Sequence, residues 1–110
     1  MTLDESMQEK INQIQISEQN LHQLTSQKQN FNSQLIEIDA SLQEISKSEK
    51  SYKIIGNIMI ETNSEDLKKE LESKKEMLDL RLKSVQKQEE RIKQKIADTQ
   101  KEVMEAMRKK

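Results

Sequence analysis

The stretch Tyr52-Lys53-Ile54-Ile55-Gly56-Asn57-Ile58-Met59-Ile60 decides the fold. β-Branched and aromatic residues crowd both sides of the chain's single glycine, which is the pattern of a β-hairpin. Glycine at the first loop position takes the positive φ that a two-residue turn of the II′ type demands, and asparagine suits the place beside it. With Gly56 and Asn57 as the turn, facing residues have indices that sum to 113, so Ile55 faces Ile58 and Ile54 faces Met59. Both faces of each short strand are largely apolar, which predicts burial on two sides rather than one.

Outward from this turn the periodicity changes from two to three and four. On the N-terminal side Met7, Ile14, Leu21, Lys28, Leu35 and Leu42 fall at heptad position a, and Leu3, Lys10, Ser17, Leu24, Phe31, Ile38 and Ile45 at d. Ten of these thirteen seam positions are apolar, which predicts one long helix with a coiled-coil face. On the C-terminal side Leu71, Leu78, Val85, Ile92, Thr99 and Ala106 take d, and Lys75, Leu82, Glu89, Ile96 and Val103 take a. Thr62-Asn63-Ser64-Glu65-Asp66 opens that second helix with a capping oxygen and acids in its first turn. The sum of 113 also pairs Leu42 with Leu71, Leu35 with Leu78, Phe31 with Leu82 and Leu21 with Ile92, an a position opposite a d each time, as an antiparallel pair requires.

The expected fold is therefore mainly α: a long antiparallel coiled-coil helical hairpin with one β-hairpin at the bend. It forms a single domain over residues 1–110, with helix 1 over 1–50, the β-hairpin over 51–61 and helix 2 over 62–110. Each arm of about 45 residues would measure roughly 70 Å at 1.5 Å per residue.

Composition agrees. Of 110 residues 32% are hydrophobic, 35% charged and 2% aromatic, with no proline, which suits long helices and leaves little for a thick globular core. Residues 1–50 hold four basic and eight acidic side chains and residues 64–110 hold fourteen and eleven, a balance that fits two arms packed on each other and is too weak for a nucleic-acid stripe. The absence of cysteine excludes a disulfide framework and a thiolate metal site. No apolar run is long enough for a membrane span, and no signal-peptide pattern opens the chain, so the expected location is the cytoplasm. No nucleophile–base pair, phosphate loop or metal cluster occurs, so neither an enzyme nor a cofactor is expected.

Two regions stand out as candidate functional surfaces. A lone two-stranded hairpin is marginal in water and its edges carry unpaired N–H and C=O groups, so Tyr52, Ile54, Ile55, Gly56, Asn57, Ile58, Met59 and Ile60 form a candidate assembly element that recruits hairpins from other subunits. Far from the turn the layers become polar, with Lys10 opposite Val103, Ser17 opposite Ile96, Ile14 opposite Thr99 and Leu24 opposite Glu89. Leu3, Met7, Ile11, Val103, Met104 and Met107 gather there. Ile11, Met104 and Met107 lie off the seam, and flexible thioethers suit weak binding of many sequences. His22 falls at a solvent-facing b position and reads as a surface residue. Lys28 and Glu89, at a positions in adjacent layers, either pair across the helices or snorkel to water. Arg108-Lys109-Lys110 reads as a dipole-favoured helix end.

The hairpin Tyr52-Lys53-Ile54-Ile55-Gly56-Asn57-Ile58, set between a heptad helix and a capped second helix whose Leu67–Arg91 stretch ends in Gln86-Lys87-Gln88-Glu89-Glu90-Arg91, resembles the β class of prefoldin subunits, in its archaeal form. The resemblance covers nearly the whole chain, and a single hairpin points to the β class because the α class carries two. It implies a hexamer of two α-type and four β subunits joined through β-hairpins. Its coiled-coil tips would capture unfolded client proteins and pass them, without ATP use, to a group II chaperonin. The competing expectation is a coiled-coil scaffold or adaptor that joins fixed partners.

Overall fold

The computed structural model describes residues 3–108, with side chains from residue 5 onward. In chain order it contains α1 (Leu3–Ile45), β1 (Lys50–Ile55), β2 (Ile58–Asn63) and α2 (Ser64–Arg108). The mainly α class and the single β-hairpin between two long helices are as the sequence predicts.

The hairpin has the predicted register: Ile55 pairs with Ile58, Ile54 with Met59, and so on to Lys50 with Asn63. Gly56 sits at φ 61° and no other described residue has positive φ, so the left-handed step falls on the first loop position alone, as a II′ turn requires.

The element boundaries differ from the sequence expectation at three places. Helix 1 ends at Ile45 rather than 50. There the Ser46 hydroxyl donates to the Gln43 carbonyl at 2.7 Å, and the amides of Lys47 and Ser48 turn back to Glu44 and Ile45 at 3.1 Å, so serine hydroxyls and short-range turns take over the last carbonyls. The strands cover Lys50–Ile55 and Ile58–Asn63, longer than the expected 51–61 span, because Lys50, Thr62 and Asn63 join the ladder. Helix 2 starts at Ser64 rather than 62, and Asn63 is its cap: Asn63 Oδ1 accepts the Glu65 amide at 2.8 Å. Glu65 and Asp66 occupy the first turn, where the helix dipole favours acids.

The described residues group into two units, one within Met1–Gln29 and Ser84–Lys110, the other Asn30–Lys83. In the first, the helical segments run antiparallel, with Lys10 against Glu102 and Lys28 against Glu89. In the second, Asp39 meets Lys75 at 2.7 Å and the β-hairpin joins the two segments. All of these ion pairs have indices within one helical turn of the 113 sum. In both units every described a and d residue is buried or half-buried, with Ile38, Leu78 and Val85 the most enclosed apolar side chains. The seam is thin, and it depends on length rather than depth for its burial.

Candidate functional site

The hairpin belongs to the second unit, and alternation divides its side chains between two faces. Ser51, Lys53 and Ile55 share one face with Ile58, Ile60 and Thr62; Lys50, Tyr52 and Ile54 share the other with Met59, Glu61 and Asn63. The first face is anchored near its base. Ser51 and Ser64, both buried, share a hydrogen bond at 2.8 Å, and Lys53 Nζ reaches Glu70 Oε2 on α2 at 3.4 Å. The second face carries the Lys50–Glu61 ion pair at 3.6 Å.

Toward the turn neither face is covered. Tyr52, Ile54, Ile55, Ile58, Met59 and Ile60 are all exposed, from 40% at Ile60 to 71% at Ile54. All six large side chains of the candidate assembly element are thus presented by one small ladder, with Gly56 and Asn57 at its bend. Beside β1 lies an open groove of about 660 Å³, lined by Ile45, Leu67, Leu71 and Tyr52 with Glu44 and Lys53 among its polar groups. Residue periodicity did not point to this groove, because it forms only where α1 stops short and the chain turns into β1.

The other candidate surface lies in the first unit. Met7 and Val103 are half-buried seam residues, whereas Ile11, Met104 and Met107 are exposed, the two methionines at 57% and 59%. The side chain of Leu3, and Met1, Lys109 and Lys110 entirely, lie outside the described residues. The Lys10–Glu102 pair, at 3.4 Å, places the turn that carries Met7 and Ile11 beside the turn that carries Val103 and Met104.

Between these terminal residues and position 29 runs a polar layer that the sequence left open between two readings. Glu89 is 4% exposed, so it does not snorkel to water. Lys28 Nζ meets its Oε1 at 3.0 Å, and the Thr25 hydroxyl lies 3.1 Å from its Oε2 and 2.9 Å from the Leu21 carbonyl. The hydrogen bond from Lys28 holds the Glu89 carboxyl below the ordinary carboxylate range, against burial, which pushes it up; Thr25 and the nearby charges of Lys28 and Lys93 add to the lowering. Thr25 was missed because it sits at the seam's e flank, where a hydroxyl carries no apolar signal.

His22 is exposed, with neighbours Gln15, Glu18, Gln19 and Gln23 along the same helix. Among the described residues no group of three His, Cys, Asp or Glu side chains could hold a metal ion, and no helix is long and apolar enough to cross a membrane.

The family model described as Prefoldin subunit matches residues 8–110, running through both units. Prefoldin subunit beta of Sulfurisphaera tokodaii is 35% identical over 106 residues, covering 94% of this chain and 85% of that one. Prefoldin subunit beta of Archaeoglobus fulgidus is 33% identical over 101 residues, covering 89% and 87%. The crystal structure of the prefoldin beta subunit from Thermococcus strain KS-1 superposes with a TM-score of 0.86 at 26% identity, covering 94% of this chain and 93% of that one.

Proposed function

The chain belongs to the prefoldin subunit family, in its β class, and on that premise we propose that it is a holdase subunit whose β-hairpin assembles the complex and whose terminal apolar residues hold unfolded proteins. Membership of the family, which is one of chaperone subunits and not a known enzyme class, makes it a chaperone-type subunit that assembles with other prefoldin subunits. The proposal adds a hexamer of two α-type and four β subunits, cytoplasmic location, and ATP-independent delivery of clients to a group II chaperonin.

The observation that carries the reading is the uncovered hairpin. Six large apolar side chains stand exposed on its two faces while the helical seam is covered. Full burial of such a side chain from water contributes about 1.5–3 kcal/mol, and the share still exposed on these six is the part that offsets association entropy and favours sister hairpins as the cover. For the client site the support is chemical: Ile11, Met104 and Met107 are exposed off the seam, and thioethers adapt to irregular apolar surfaces.

The test of the client site is Met7→Ser with Met104→Ser and Met107→Ser in the complex formed with an α-type subunit. The expected result is weaker suppression of aggregation of several unrelated denatured proteins, at unchanged native mass. Unchanged suppression rejects the client site. A chain that binds fixed partners and suppresses no aggregation is a scaffold.

A further inference from the structure

The polar layer in the first unit has a feature that the client reading does not use. Lys28 is the sole Lys, Arg, Asp or Glu between residues 19 and 36, a stretch whose seam is Leu21, Leu24, Phe31 and Leu35 and whose remaining surface is mostly Gln, Asn and Ser. Such a stretch, stripped of Lys28, is a self-compatible coiled-coil seam: apolar at a and d, and free of like charges to keep two copies apart.

Orientation decides what Lys28 meets. In the intrachain antiparallel pair an a position lies opposite a d, and Lys28 reaches Glu89 in the adjacent layer, a carboxylate that is 4% exposed and has both oxygens engaged by α1. In a parallel pair of two α1 helices, a lies opposite a. Lys28 then faces its own copy across the seam, with no carboxylate within eight residues on its helix to neutralise it. Two ammonium groups at one layer repel, and the neutral Thr25 hydroxyl supplies no charge to offset them in place of Glu89.

We infer that the Lys28–Glu89–Thr25 layer is a pairing selector, which keeps α1 on its own α2 and forbids parallel pairing of α1 with α1 of a second copy. The layer acts by excluding the competing pair, so replacing both charges with apolar residues leaves the native arm as stable as before and removes the exclusion.

The chain has no cysteine, so a single Leu21→Cys reports the competing state: in a parallel α1 pair the two copies of position 21 share one a layer, whereas in the native arm position 21 lies opposite Ile92. The full chain carrying Leu21→Cys is oxidised mildly and resolved without reductant, with helicity followed by circular dichroism. With the native layer little disulfide-linked dimer is expected. With Lys28→Leu and Glu89→Leu added, helicity should hold and linked dimer should rise several-fold. With the exchange Lys28→Glu and Glu89→Lys, which keeps attraction within the arm and repulsion between copies, it should stay at the native level. Should the leucine pair lose helicity, Lys28→Gln with Glu89→Gln serves the same comparison. No rise in linked dimer in whichever neutral pair keeps its helicity overturns the inference, as does a rise in the charge-exchanged chain equal to that in the neutral one.

Discussion

Among the described residues Glu89 is the only buried ionisable side chain, and its energetics turn on its partners rather than on its burial. Lys28 keeps 30% of its side chain in water, so only one end of the pair is fully desolvated. Removing the charge by Glu89→Gln retains an acceptor for Thr25 but loses the charged hydrogen bond from Lys28, a loss of about 1.5–3 kcal/mol at neutral pH. The pH dependence follows from the direction of the shift. A carboxyl held below its ordinary value in the folded chain contributes stability that is fully present above the unfolded pKa of about 4.3, and that is lost as pH falls through the lower folded value. The difference in thermal midpoint between the native chain and Glu89→Gln should therefore be flat near neutrality and shrink below about pH 4.3. A difference that persists unchanged into strong acid contradicts the ion pair as its source.

At the scale of the element, the turn rests on backbone conformation and not on space. A Cβ at Gly56 would meet nothing within 4 Å, yet φ there is +61°. Gly56→Ala should cost about 1–2 kcal/mol through the left-handed step alone, whereas Asn57→Ala, at a residue without positive φ, should be near neutral. Hydrogen exchange of the ladder amides of Ile55 and Ile58 measures both, and equal protection in the two variants would refute the II′ assignment. This turn was legible because one glycine among β-branched neighbours leaves few alternatives, and the heptads were legible because every described a and d residue obeys the seam. The helix ends were not. Ser46 and Ser48 are compatible with a helix by composition, and only their hydroxyl contacts to Gln43 and Lys50 carbonyls show that the backbone has left it. The Ser51–Ser64 bond was equally hidden, since it joins two small polar residues thirteen positions apart that no periodicity links.

For the whole molecule the hairpin poses the larger question, because a single chain covers its large apolar side chains only in part. Ile55 and Ile58 face each other next to the turn, at 54% and 64% exposure, so aspartate at both sites leaves the seam, the Asn63 cap and the Ser51–Ser64 anchor intact. Two carboxylates placed opposite each other do destabilise the ladder somewhat, by roughly 0.2–1 kcal/mol as a like-charge cross-strand pair. Their larger effect falls on association: each carboxylate would have to be desolvated against an apolar neighbour, at several kcal/mol per group. Ile55→Asp with Ile58→Asp should therefore keep the helical circular dichroism of the native chain while shifting it to smaller species in sedimentation velocity, with or without an α-type partner. The groove lined by Ile45, Leu67 and Leu71 lies beside β1 at the same end of the second unit, so a neighbour seated on the β1 edge would draw on it too, and Leu71→Ser should weaken assembly less than the paired aspartates. An oligomer of native mass from the double aspartate variant rules out the hairpin as the assembly element and leaves its six exposed apolar side chains without a cover.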